Sequence, residues 1–195
     1  MGSANRLSST ENLKKFVYLS ILTAIVFVLQ FVSLFMRFTF FSVTFVLVPI
    51  VIGCAVCNKY AGAWLGFVFA IAVFATGDAA FFLGFDVFGT IVTVVVKGVL
   101  AGLFAGLVYT ALARFNRYLA VLCAGIVAPI TNTGVFMLGC YLFFYDDIAI
   151  MAGSQSVFSY IILTFVGVNF LVELGVNIIF SPAILRIINA RKRFN

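Results

Sequence analysis

The chain has 195 residues, of which 65% are hydrophobic and only 9% charged, with a formal net charge of +6 and a mean hydropathy of +1.25. A soluble domain carries about 25% charged residues, so this composition excludes a water-facing globular protein. The length suits one compact domain of about six spans of ~20 residues joined by short loops, with no room expected for an appended soluble domain.

Residues 1–13 are polar and are expected to form a disordered tail ahead of a single membrane domain over residues 14–193. Lys14 and Lys15 introduce the first apolar run, Phe16 to Phe35. That run is longer than a signal-peptide core and lacks a small-x-small cleavage site, so it reads as a retained first span. The second run, about Thr44 to Cys57, is short and holds Pro49. The third covers Ala61 to about Thr76, and the fourth about Thr90 to Ala113. The fifth, Leu119 to Phe144, contains Pro129, and the sixth, Val157 to Ile188, ends near Pro182. The expected fold is all-α, a polytopic bundle of six transmembrane helices.

The basic residues set the orientation. With the N-terminus inside, inner segments hold Arg6, Lys14, Lys15, Lys59, Arg114, Arg117, Arg186, Arg191, Lys192 and Arg193, ten of the twelve Lys and Arg residues. The outer loops hold Arg37 with Asp78, Asp86, Asp146 and Asp147. An inner excess of Lys and Arg is the positive-inside pattern, and it places both termini in the cytoplasm. The same positions argue against nucleic-acid binding, because the positive charges mark helix ends rather than a basic patch.

Small residues recur at four-residue spacing in Gly62 and Gly66 and in Gly98, Gly102 and Gly106, which lets helices approach closely. Ser20 and Ala24 repeat the spacing on the bulky first span, where they fit internal packing or a partner helix. Cys54, Cys57, Cys123 and Cys140 all sit in apolar runs. The Cys54–Cys57 spacing has no second ligand pair, and the chain has no His, so these thiols read as small packing residues.

Polar groups within spans are costly and informative. Lys97 lies inside the fourth span and must pair or face water. Asn169, Glu173 and Asn177 share one face of the sixth span at i−4, i and i+4. Asn132, between Thr131 and Thr133, follows Pro129 at a depth similar to Lys97 and Asn169. Two readings stand side by side. Lys97 and Glu173 form a buried ion pair and the asparagines tie helices together, or the same groups line a solute pocket open to the outer side.

Absences narrow the class. There is no phosphate loop, no H-E-x-x-H or G-x-S-x-G motif and no His to serve a Ser-His pair. Nor is there a pair of broken inverted repeats of the kind many secondary carriers show. The chain reads as a non-enzymatic binder, without a cofactor or metal, that takes its energy from elsewhere. A self-sufficient small carrier or channel, proton-coupled through Glu173, is the alternative.

The order of marks along residues 14–193 resembles the substrate-binding S components of energy-coupling factor (ECF) vitamin transporters. Those marks are the six spans, the block Phe45-Val-Leu-Val-Pro49-Ile-Val-Ile-Gly53 and then Lys59-Tyr-Ala-Gly62-Ala-Trp-Leu-Gly66. Lys97-Gly98 with its glycine ladder and Asn132-Thr133-Gly134 follow. The resemblance implies a bacterial plasma-membrane protein that captures a vitamin from outside, such as pantothenate, folate or riboflavin. It also implies docking on a transmembrane T protein driven by two cytoplasmic ATPase subunits. The family's A-x-x-x-A docking pattern corresponds to Ser20-x-x-x-Ala24, and its pocket-closing loop to the segment beginning at Arg37. Lys97, Asn132, Asn169, Glu173, Asn177 and Arg37 are the expected substrate-binding residues, and an anionic vitamin suits Lys97.

Overall fold

Asparagine and aspartate side chains mark where several helices start. Asn58 accepts from the Tyr60 and Ala61 amides at 2.8 Å each, and Asn116 accepts from Tyr118 and Leu119. Asp86 accepts from the Phe88 amide at 2.9 Å. Each thereby satisfies first-turn N–H groups that have no partner within the helix. The computed structural model describes the backbone of residues 2–38, 41–42 and 45–193 and the side chains of residues 11–35 and 45–190.

The described elements are α1 (Gly2–Ser33), a two-residue antiparallel pair β1 (Arg37–Phe38) and β2 (Phe41–Ser42), and α2 (Leu47–Val56). α3 (Lys59–Ala75), the single turn α4 (Ala80–Leu83), α5 (Val87–Leu112) and α6 (Arg117–Phe143) follow. α7 (Tyr145–Ala152) and α8 (Val157–Tyr160) lead through a π-helical stretch, Ile161–Val166, into α9 (Gly167–Arg193). On the backbone, α1 takes in most of the polar segment 1–13.

Among the described residues, four helical stretches are long and apolar enough to cross a membrane: Glu11–Ser33, Val87–Leu112, Arg117–Phe143 and Val157–Ala190. α2 and α3 are apolar but shorter, with 10 and 17 residues. At 1.5 Å per residue, α2 spans about 15 Å, half the hydrocarbon thickness. Most of α2 is buried, including Leu47, Ile50, Val51 and Cys54, so it belongs to the protein core rather than to the lipid face. Pro49 sits in its first turn, where the missing N–H costs nothing.

Contacts fix the relative directions. α1 and α3 run parallel, since Thr23 meets Trp64 and Gln30 meets Thr76. α3 and α5 run antiparallel, with Gly62 against Gly102 and Gly66 against Gly98. α5 and α6 are antiparallel through Thr93 and Gly139, and α6 and α9 through Asn132 and Glu173. α2 meets α3 antiparallel through Gly53 and Leu65. The six helices α1, α2, α3, α5, α6 and α9 therefore alternate in direction, and α1 starts at the end of the bundle where α9 finishes.

The two glycine ladders recognised in the sequence turn out to be the two sides of one crossing. A Cβ at Gly62 or Gly66 would overlap the backbone carbonyl of Gly102 or Gly98, and one at Gly106 would overlap Lys59. Close backbone approach replaces the hydrophobic driving force that lipid cannot supply. The cysteines are all free. Cys54 is buried at this crossing, its Sγ 3.5 Å from the Gly102 carbonyl oxygen, which is a packing position.

Candidate solute-binding site

Six helices, α1, α3, α4, α5, α6 and α9, and the α3–α4 turn converge on a cavity in the half of the bundle away from the chain termini. The space between them, open solvent at the mouth included, is about 800 Å³. α5 brings Thr90, Thr93 and Lys97, α6 brings Asn132, Thr133 and Phe136, and α9 brings Asn169 and Glu173. α1 supplies Gln30, α3 supplies Phe69, and Asp78 lies in the turn after α3. The π-helical stretch contributes Phe165 and Val166, with Gly167 and Val168 between them and Asn169. A π turn adds a residue to the helical repeat, so it re-aims the side chains around it, and such turns recur at functional positions.

Glu173 is buried, with 1% of its surface exposed. Its carboxylate accepts long hydrogen bonds from the Asn132 amide at 3.5 Å and from the Asn169 amide at 3.4 Å. The cluster thus joins α6 to α9. With both amide nitrogens turned toward the carboxylate, the side-chain oxygens of Asn132 and Asn169 are left buried without a hydrogen-bond partner among the described residues. Buried acceptors in this state are rare, and each costs of order 1–3 kcal/mol.

Lys97 is half-buried. Its ammonium lies 5.3 Å from the ring centre of Phe136 and 5.8 Å from that of Phe69, within cation–π range. Among the described residues no carboxylate forms an ion pair with it. The buried Lys97–Glu173 pair considered from the sequence is therefore not made: Asn132 and Asn169 stand on the Glu173 carboxylate, and aromatic faces stand around the ammonium. α5 starts at Val87, ahead of the span start expected near Thr90, so Lys97 lies about 15 Å along the helix from its first residue.

Of the residues expected to bind substrate, Lys97, Asn132, Asn169 and Glu173 line the cavity together. Asn177 does not. Its amide donates back to the Glu173 carbonyl at 2.8 Å, and Ser181 donates to the Asn177 carbonyl at 2.7 Å, so it packs between α9 and Gly125 of α6. The Arg37 side chain lies outside the described residues.

Gln30, Asp78, Thr90 and Thr93 also line the cavity, beyond the residues the sequence singles out. Gln30 had a signal, since it is the one amide in the first apolar run. Asp78 and the phenylalanine wall did not, because loop acids and apolar positions look ordinary in a sequence. Phe81, Phe82, Phe85, Phe136, Phe144 and Phe165 form a connected aromatic cluster, with ring centres such as Phe82–Phe136 at 5.3 Å and nearly perpendicular. Among the described residues the site therefore combines one cation, two carboxylates, buried amide oxygens and an aromatic wall. Among the described residues no group of His, Cys, Asp or Glu is arranged to hold a metal ion.

Ser20 and Ala24 are exposed on α1. The Ser20 hydroxyl donates to the Phe16 carbonyl at 3.0 Å, so this position presents a small surface with its polarity satisfied within the helix.

No curated protein and no solved structure matches the chain significantly. A family model described as the substrate-specific component of ECF transporters matches residues 14–185. That family accounts for the apolar helices, and it implies a small-molecule substrate and association with a T protein and ATPases. The chain belongs to the substrate-specific components of ECF transporters, which are multi-pass membrane transport proteins and not enzymes.

Proposed function

We propose that this protein captures a vitamin on the outer side of the bacterial plasma membrane. Docked on a T protein and two cytoplasmic ATPase subunits, it then delivers that vitamin inward. The observation that carries the reading is the cavity in which Lys97, Asn132, Asn169 and Glu173 come together from three helices. Its amide oxygens without a hydrogen-bond partner, and its ammonium without an anionic one, among the described residues, call for a ligand bearing both hydrogen-bond donors and an anionic or acceptor group.

Pantothenate meets this demand with a carboxylate for Lys97 and hydroxyl and amide hydrogens for the asparagine oxygens. Riboflavin and folate meet it with ring N–H groups and a flat surface for the phenylalanine wall. The inner excess of Lys and Arg supports cytoplasmic termini, which puts the cavity half of the bundle outward. Ser20 and Ala24 are the proposed contact with the T protein, because small exposed residues permit close helix approach.

Proteoliposomes containing the purified chain, with or without the T protein and ATPases, test this reading. Uptake of labelled pantothenate, riboflavin or folate is expected only with the partners and ATP. Uptake by the chain alone would instead make it a self-sufficient carrier.

A further inference from the structure

α1 joins the exposed Ser20–Ala24 surface to the cavity through one side chain. Its buried stripe is Leu22, Val26, Gln30 and Ser33, spaced as one face of a helix. Ile21, Ile25, Val28 and Phe31 are exposed on its other sides. Gln30 is the one α1 residue among the described residues lining the cavity, and 1% of its surface is exposed. Its amide nitrogen donates to Thr76 Oγ1 and Asp78 Oδ2, both at 3.4 Å. Its amide oxygen is buried without a partner among the described residues. A buried primary amide with its donor end weakly held and its acceptor end unused is half satisfied, which is an unfavourable state in a low-dielectric interior.

We propose that Gln30 is a substrate contact that positions α1. Its oxygen accepts a hydrogen bond from the bound solute while its nitrogen holds the Thr76–Asp78 turn. Occupancy of the cavity thereby fastens α1 to α3 and sets the position of the Ser20–Ala24 surface. This rests on the cavity being the vitamin site. The demand on the ligand is specific: an O–H or N–H donor directed at α1, in addition to the group that meets Lys97. The link between site and surface runs along about three turns of one helix, from Gln30 back to Ser20.

The chain carries its own reporter. Trp64 is its single tryptophan, and its indole N–H donates to Thr23 Oγ1 of α1 at 3.2 Å, so a shift of α1 against α3 changes the indole environment. The test titrates pantothenate, riboflavin and folate into the full-length purified protein. Affinity is read by equilibrium dialysis, and the Trp64 emission maximum is followed in parallel. Gln30→Met keeps the side-chain length without either polar end, and Gln30→Glu keeps an acceptor but loses the donor to Asp78.

The wild type is expected to bind one of the three with a shift in Trp64 emission. Gln30→Met should bind at least 10-fold more weakly. Gln30→Glu should retain more affinity than Gln30→Met and lose the emission shift. If Gln30→Met does not fold, Gln30→Glu carries the test alone. Wild-type affinity in a folded Gln30→Met protein overturns the contact, and an unchanged emission shift in saturated Gln30→Glu overturns the link to α1. Failure of the wild type to bind any of the three overturns the vitamin-site reading and this inference with it. Failure confined to the Gln30 variants overturns this inference only.

Discussion

Gly66 and Gly98 touch backbone to backbone where α3 crosses α5, so that a Cβ on either would overlap the other's carbonyl oxygen. Neither helix can withdraw without opening the Gly62–Gly102 contact one turn away. Gly98→Val should therefore destabilise the protein by about 1–3 kcal/mol, the usual cost of overpacking. Gly175→Ala, where an added methyl meets nothing within 4 Å, should melt like the wild type. Thermal unfolding in detergent checks both, and equal melting of the two variants would remove the crossing as the organising contact.

The membrane orientation is tested with single cysteines placed at Asn116 and Asp147 in a protein lacking its native thiols. Asn116 precedes α6 and Asp147 lies just beyond it, at opposite ends of that helix. A membrane-impermeant thiol reagent should label position 147 from outside cells and position 116 only after lysis. Labelling of both from the same face would contradict the alternating arrangement.

The partner surface predicts a separation of binding from transport. Ala24 is exposed and lies about 9 Å along α1 from Gln30, on a different face from its buried stripe. Ala24→Trp should leave vitamin affinity within about 3-fold of wild type, since it touches no cavity residue, while energised uptake falls to background. Normal uptake by this variant would move the docking site elsewhere.

The Lys97–Glu173 relationship gives a further prediction. Because no direct ion pair joins them, a double-mutant cycle with Lys97→Met and Glu173→Gln should show little coupling in the stability of the empty protein. Coupling should appear in vitamin affinity, where both groups meet one ligand. Strong coupling in stability alone would make the two residues a structural pair.

The sequence made the spans legible because hydrophobic runs and Lys/Arg placement report directly on the bilayer. The cost of burying Lys97, Asn132, Asn169 and Glu173 singles them out in the sequence, and the fold brings the four to one cavity. Other features depend on where the chain crosses itself. Asn177 obeyed the same periodicity as Glu173, yet a back-bond to the Glu173 carbonyl turns it away from the cavity. The pairing of the glycine ladders and the π turn before Asn169 arise from helix–helix fit, which no local pattern encodes. Gln30, a lone amide in an apolar span, is a costly placement of the same kind as Lys97.

The most direct test of the account is vitamin affinity in Lys97→Met and Asn132→Ala, measured by calorimetry with pantothenate, riboflavin and folate against the wild type. Each substitution removes a hydrogen-bonding group from a largely desolvated site, a loss of about 1.5–3 kcal/mol for a charge-assisted bond, or roughly 10- to 150-fold in affinity. The wild type is expected to bind one vitamin one-to-one, and both variants to lose at least 10-fold in affinity with their thermal unfolding intact. Folded variants that bind that vitamin as tightly as the wild type would contradict the account.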